Sequence, residues 1–525
     1  MGKASFKVLA NSLLVSLASL LVSFFSFVNQ IILANFFGAS SSMDAYLIGT
    51  SIPMLVSGLL TATLAYTLVP ALMLNSSNLA SYRRFSGLLL IIFSIISLAI
   101  VCVGILTAAD QIELLSGKIS LAAKQEAIVI SRISWIAAGL MVLVAYLNGI
   151  YNAANRFLLP IFLSIAPYIF MAGAGILFAS TLGPMAVVFG LMLGFLVIIP
   201  ALFFQMLPRI DMSYSSLQQW RDVVRYLSRL PLIMLAMLCF TVFQLSDSYW
   251  APNTGTGNLA YLGYSQRLLV ALGTLVVAGP SAVILPRLAI SYTDGRIKDL
   301  LHDALRGVRM IIVVALPLAL IASVLAAPLI RILFQRGAFD QHATQGLAAI
   351  LPLMMFGMVA MLCVVMVFRA LYAKHDVIYA SLLGILIAIS YFTLSGVLSR
   401  TMGVMGIALA YALTWWLILI FSIAILWRGY MKMILSKANF MFIGQLMLLT
   451  LVTIVVAATS KSLIVNSDIN LAILMLQIST VATLTFAFYV VVAIRILKLE
   501  EMHLIYTFFF TKFTSLMLRN SRKTL

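Results

Sequence analysis

Two ionisable side chains stand inside long apolar runs of this sequence: Asp247, in FQLSDSYW, and Arg267, in YSQRLLVALG. A charge in such a setting is costly unless it is paired, hydrated or used, so both are candidates for function. The guanidinium of Arg267 offers a planar fork of donors suited to a phosphate; a structural ion pair or snorkelling to an interface are the plainer alternatives. Asp247 has two roles open to it, an ion-pair partner for Arg267 or a carboxylate that binds Na+ or H+ as a coupling ion. Asn29, Gln30 and Asn35 place amides in another apolar run, with Gln30 and Asn35 nearer to one face. Amides there either line a polar cavity or bond neighbouring helices together. Asp44 follows a Gly-Ala-Ser run and suits a cap at the positive end of its own helix, or a gate. Arg336, in LFQRGAF near Arg331, marks a membrane interface or a gate.

Enzyme chemistry has no comparable support. His302, His342, His375 and His503 fall in separate loops without metal-ligand spacing, and neither a phosphate-binding G-x-x-x-x-G-K-[ST] loop nor a Ser/His/Asp grouping is present. Cys102, Cys239 and Cys363 sit in different apolar runs, which gives no metal cluster or disulfide framework and leaves them as packing residues. The sequence therefore implies no enzyme and no resident cofactor, with Na+ or H+ the only small ions for which a site is a candidate.

The elements that position these residues follow from composition. With 63% hydrophobic residues, 9% charged residues and a mean hydropathy of +1.13, the implied solvent is a lipid bilayer. A hydrocarbon layer of about 30 Å needs roughly 20 apolar residues per helical crossing. The pattern predicts fourteen such spans, near 8–37, 43–74, 85–108, 125–151, 157–181, 183–207, 226–251, 259–290, 306–334, 343–373, 376–399, 404–428, 438–460 and 470–497. Several exceed one simple crossing, so tilt or kinks are expected, with Pro53, Pro231, Pro280 and Pro317 as kink sites. The N-terminal MGKASFKVLANSLLV runs on too far for a cleaved leader and reads as a retained first span.

The net charge of +18 is explained by topology rather than by nucleic acid, for which no soluble domain is long enough. Lys3, Lys7, Arg83, Arg84, Arg221, Arg225, Arg428 and the C-terminal tail gather on one side of the predicted spans. The other side keeps far fewer, among them Lys118, Lys124, Arg331 and Arg400. The positive-inside rule makes the rich side cytoplasmic, and an even number of spans puts both termini there. Trp415, Trp416 and Trp427 read as packing or belt residues, and the tail from Glu500 as an amphipathic segment at an anionic surface.

An internal repeat organises the spans. NQIILANFFGASSSMDAYLIGTSIP lies over QLSDSYWAPNTGTGNLAYLGYSQRL, with Ala45-Tyr46 over Ala260-Tyr261 and Pro70 over Pro286, and GIYNAANRFLLP lies over ALYAKHDVIYA. The expected fold is all-α, with two six-helix lobes over residues 1–215 and 216–430 in parallel orientation around a central cavity. Two additional spans over 431–498 and a basic tail over 499–525 complete it.

FFGASSSMDAYLIGTSIP, the LVPAL that follows, NRFLLPIFLSIAP, YSQRLLVALGTLVVAGPSAVILPRLAISY and LFQRGAF together resemble the MurJ/MviN family over essentially the whole chain. That family belongs to the multidrug/oligosaccharidyl-lipid/polysaccharide exporter superfamily, and its members are flippases of lipid II, the undecaprenyl-pyrophosphate-linked peptidoglycan precursor. The resemblance implies a secondary transporter of the bacterial cytoplasmic (inner) membrane, with a lipid-linked glycan and membrane lipids as partners. It does not fix the oligomeric state, for which a monomer is the expectation. It also implies a cavity lined by Arg267, Asn29, Gln30, Asn35 and Ser57. The family carries arginines in its first two spans where this chain has Asn29, Gln30, Asn35 and Ser57, so the cavity is less cationic, whereas Arg267 matches a family arginine. Two other functions fit the same architecture: a flippase for an exopolysaccharide or O-antigen repeat unit, and a multidrug/cation antiporter, for which Asp247 alone speaks.

Overall fold

The computed structural model describes residues 3–74, 79–154, 156, 158–206, 211, 217–228, 230–231, 233–234, 241–374, 376–465 and 470–502. Helices α1 (Lys3–Phe37), α2 (Ser41–Leu74), α3 (Leu79–Leu115) and α4 (Leu121–Ala153) open the chain. They are followed by α5 (Leu158–Leu163), α6 (Ala166–Leu182), α7 (Met185–Met206) and the short amphipathic α8 (Leu217–Leu227). Then come α9 (Val242–Trp250), α10 (Asn258–Thr293), α11 (Ile297–Val324), α12 (Ala326–Phe334) and α13 (Gln341–Ala373). The last are α14 (Val377–Met402), α15 (Val404–Leu426), α16 (Met431–Ile434), α17 (Lys437–Ile464) and α18 (Leu471–Val491). Among the described residues, thirteen segments are long and apolar enough to cross a bilayer. The expected span over 226–251 lies partly outside the described residues, as do Cys239, His375 and the tail from His503.

Two predicted spans are broken where the sequence gives a reason. The 157–181 segment divides into α5 and α6 just before Pro167, whose ring supplies no N–H to continue the ladder. The 306–334 segment divides at Leu325, shortly before Pro328, and its helix begins earlier than expected, at Ile297. By contrast, α2 runs unbroken through Pro53 and Pro70, and α10 through Pro280. At 34 residues, α2 is about 51 Å long, which a layer of about 30 Å accommodates only with tilt or extension beyond it.

The chain forms two compact units. The first holds residues 1–264, 334–343 and 391–407, so α10 and α14 each give one end to it. Bilayer lipid is as apolar as a side chain, so helices here associate through close packing and internal hydrogen bonds. Small residues permit that closeness: Gly49 of α2 faces the Ala127 carbonyl and the Ile130 side chain of α4, and Gly190 and Gly194 of α7 press on the backbone of α6. Around them, Leu64, Leu68, Phe93, Tyr146, Ile150 and Leu202 form the core. Its buried hydroxyls are satisfied across helices, Tyr146 donating to the Ser86 carbonyl at 2.5 Å and Tyr151 to that of Leu202 at 3.1 Å.

The second unit holds residues 265–333, 344–390 and 408–525. Here α11 packs against the two C-terminal spans α17 and α18 through Val313, Phe442, Leu449 and Tyr489. The Tyr489 hydroxyl donates to the Val313 carbonyl at 3.0 Å, and the Lys461 ammonium donates to the Val324 carbonyl at the end of α11 at 2.7 Å. Arg309 joins the same elements. It donates to the Glu501 carboxylate at 2.9 Å and to the Asn439 amide oxygen, and lies 4.7 Å from the Phe442 ring centre. Trp415 and Trp427 are buried and so serve packing, and Trp416 stacks near Phe356 at 5.0 Å.

Candidate functional site

Three glycine-bearing turns meet at one end of the first unit. α1 ends at Gly38, whose φ of +55° lets the chain reverse into α2. A Cβ at Gly38 would strike the Ala338 carbonyl, and one at Gly337, with φ +55°, would strike that of Asn35. The backbones are this close because Ala338 N–H donates to the Asn35 carbonyl at 2.8 Å. The third turn brings Gly257, with φ +81°, against the Ala39 carbonyl. Side chains close the junction: the Tyr264 hydroxyl donates to the Gly38 carbonyl at 2.9 Å, and the rings of Tyr264, Phe334 and Phe339 cluster with centres 5.2–5.9 Å apart.

Asp44 holds the centre of this seam and is almost wholly buried. Its carboxylate accepts from the Gly257 N–H at 2.6 Å and the Ala260 N–H at 3.1 Å. These are orphan donors at the start of α10, so the Asp44 carboxylate caps that helix, while Asp44 also stands in the first turn of α2, the acidic position at a positive helix end expected from sequence. The start of α2 is served by Ser40, whose hydroxyl oxygen accepts from Met43 N–H at 3.4 Å. The cap on α10 is invisible in the local sequence because donor and acceptor are more than two hundred positions apart.

The remaining candidates are distributed along this unit and the next. Asn29 is buried on α1; its amide nitrogen donates to the carbonyls of Phe25 and Tyr168, each at 2.9 Å, tying α1 to α6, and its amide oxygen has no partner. Gln30 beside it is also buried, and Asn35 is half-buried at the seam. Ser57 is buried on α2 and donates to the Pro53 carbonyl at 2.9 Å, one turn back along its own helix. Arg336 is exposed on the turn between α12 and α13. Arg267 is exposed on α10, within the segment Asn258–Val277 that is apolar enough to cross a bilayer.

Asp247, on α9, is buried and accepts a hydrogen bond from the Tyr391 hydroxyl of α14. Phe243, one turn earlier, packs on the same tyrosine with ring centres 4.4 Å apart. Trp250 lies against Phe392 and against Gly396, where a Cβ would meet its indole at 2.5 Å. Nothing in the sequence marks Tyr391, since one tyrosine among ISYFTLSG carries no spacing signal; its role emerges only from the pairing of α9 with α14. Among the described residues, no three His, Cys, Asp or Glu side chains are grouped to hold a metal ion.

Bundled spans enclosing buried amides, paired ionisable groups and a sealed polar seam define a polytopic membrane transporter. The backbone superimposes on a solved structure described as "Lipid II flippase MurJ, inward closed conformation" with a TM-score of 0.77, at 18% identity over 92% of this chain and 99% of that one. It also matches an inward-facing multidrug resistance MATE transporter of the MOP superfamily, with a TM-score of 0.69 at 13% identity over 79% of this chain and 96% of the other. Sequence narrows the class. The "Lipid II flippase MurJ" family profile matches residues 33–474, and the chain belongs to that family. The probable lipid II flippase MurJ of Buchnera aphidicola subsp. Acyrthosiphon pisum is 26% identical over 84% of this chain and 88% of its own length. That of Vibrio cholerae is 25% identical over 81% of this chain and 83% of its own.

Proposed function

We propose that this protein flips lipid II, an undecaprenyl-pyrophosphate-linked glycan, from the inner to the outer leaflet of the bacterial cytoplasmic membrane, with both termini on the cytoplasmic side. The observation that carries this reading is membership of the lipid II flippase family across residues 33–474. The physical task is to lower the cost of taking a pyrophosphate and a polar headgroup through hydrocarbon, where every unpaired polar group is penalised by several kcal/mol. No covalent bond is made or broken in this task.

In this mechanism Arg267 is the cationic contact for the pyrophosphate, its fork making paired, charge-assisted bonds that survive partial dehydration. Asn29, Gln30, Asn35 and Ser57 supply neutral polar contacts for the headgroup, and the unpartnered amide oxygen of Asn29 is a ready acceptor for a hydroxyl or amide. The seam around Asp44 acts as the outer gate and Arg336 stands at its rim. Alternating access requires such a gate to open as the opposite side closes. Asp247 with Tyr391 is the candidate for coupling to H+ or Na+, because protonation or cation binding would change what the tyrosine hydroxyl can donate to. Translocation of labelled lipid II in proteoliposomes containing the purified full-length protein tests the proposal. Wild-type protein should move the label and Arg267→Ala should slow it at least tenfold, whereas equal rates with and without protein would reject it.

A further inference from the structure

The first unit also has a polar recess of about 400 Å3 that none of the roles above uses. Glu113 and Ser116 at the end of α3, Gly117 in the turn, Lys124 on α4, Tyr249 at the end of α9 and Asn253 just beyond it form its walls. The volume falls within the range of small-molecule sites, about 300–1,000 Å3. On the orientation given above, it opens to the outer face.

Its chemistry selects a class of ligand. Glu113 and Lys124 form an ion pair, so the recess carries both signs and no net charge to favour an anion or a cation. The ammonium and carboxylate together present donors and acceptors to a neutral polar molecule. Tyr249 supplies an aromatic wall, held with its ring centre 4.9 Å from that of Trp250 and 5.5 Å from that of Phe392. The Asn253 amide is fixed by donation of its nitrogen to the Tyr249 carbonyl at 3.0 Å. Its oxygen is brought to the turn by Gly117, where φ is +48° and a Cβ would lie 2.8 Å from that oxygen. An aromatic wall beside a fixed amide and a self-neutralised ion pair matches a sugar ring, which has one apolar face and a rim of hydroxyl or acetamido groups.

We propose that this recess is a second binding site, for a neutral amino-sugar ring, separate from the phosphate contact at Arg267. It rests on the glycan reading above and adds to it a holding point on the arrival side. Because α9 forms one wall and the α3–α4 turn the other, an occupant ties the two together.

The probe is di-N-acetylchitobiose, a neutral amide-bearing disaccharide, titrated into the purified full-length protein and followed by saturation-transfer NMR and tryptophan fluorescence. Saturable binding is expected, weakened at least tenfold by Asn253→Ala and by Tyr249→Leu. Thermal melting of each variant separates loss of the site from loss of the fold, and Lys124→Met, on the other wall, provides an independent variant. The proposal is overturned by absence of saturable binding to the wild type, or by equal binding in the wall variants that melt normally. Lipid II translocation without disaccharide binding rejects this site and leaves the function. Disaccharide binding without translocation does the reverse.

Discussion

The Asp44 cap makes a quantitative prediction about the seam. Asp44→Ala removes both acceptors and leaves the Gly257 and Ala260 N–H groups at the start of α10 without partners. A buried donor left unpaired costs about 1–3 kcal/mol, and water reaches part of the helix end once the side chain is gone, so the two together cost about 2–4 kcal/mol. If the cost falls on the sealed state, the sealed-to-open ratio drops on the order of 30- to 700-fold. Asp44→Asn keeps one acceptor oxygen and should lie between the variant and the wild type. The assay is the rate at which a membrane-impermeant maleimide labels a single cysteine at Ala39, in a chain whose Cys102, Cys239 and Cys363 are replaced by alanine. Ala39 lies in the seam against Gly257, so it reports sealing directly. Labelling at least tenfold faster in Asp44→Ala is expected. An unchanged rate in a variant that folds and inserts normally would refute the assignment of Asp44 as the closing contact.

Three further outcomes follow from named contacts. Gly257→Ala forces a Cβ into the Ala39 carbonyl at a left-handed backbone position, so it should loosen the seam in the same labelling assay or abolish folded protein in the membrane. Tyr391→Phe keeps the ring against Phe243 but removes the hydroxyl that bonds Asp247, and should lower stability by about 1–3 kcal/mol in a denaturation assay; Asp247→Asn should then add little on top of it. Arg309→Ala strands the buried Glu501 carboxylate and should destabilise the packing of α17 and α18 on α11 by about 3–5 kcal/mol. Limited proteolysis releasing the C-terminal spans earlier checks that, and Glu501→Gln alone should be milder.

The spans were legible in the sequence because their signal is a run of apolar residues, which needs no partner to be recognised. Helix ends were less so: α5 and α6 divide just before Pro167, which cannot donate, while α2 continues through Pro53 and Pro70. The candidate site divides the same way. Asp247 and Arg267 announce themselves as charges in apolar surroundings, and Asp44 as an acid at the start of a span. Tyr391 and Tyr264, both buried, differ little from a core aromatic until their hydroxyl partners are seen. The turns at Gly38 and Gly337 lie in strings that carried the family resemblance, and Gly257 lies in the internal repeat. What the linear sequence could not give was their meeting, which depends on contacts between positions some 200 to 300 residues apart.

Depletion of the protein in its native host, with mass spectrometry of the undecaprenyl-linked intermediates, tests the central claim most directly. Lipid II should accumulate on the cytoplasmic side and the cells should lyse, with rescue by wild-type protein and weak rescue by Arg267→Ala. Accumulation of a different lipid-linked glycan, in intact cells that lack one surface polymer, would contradict lipid II as the cargo.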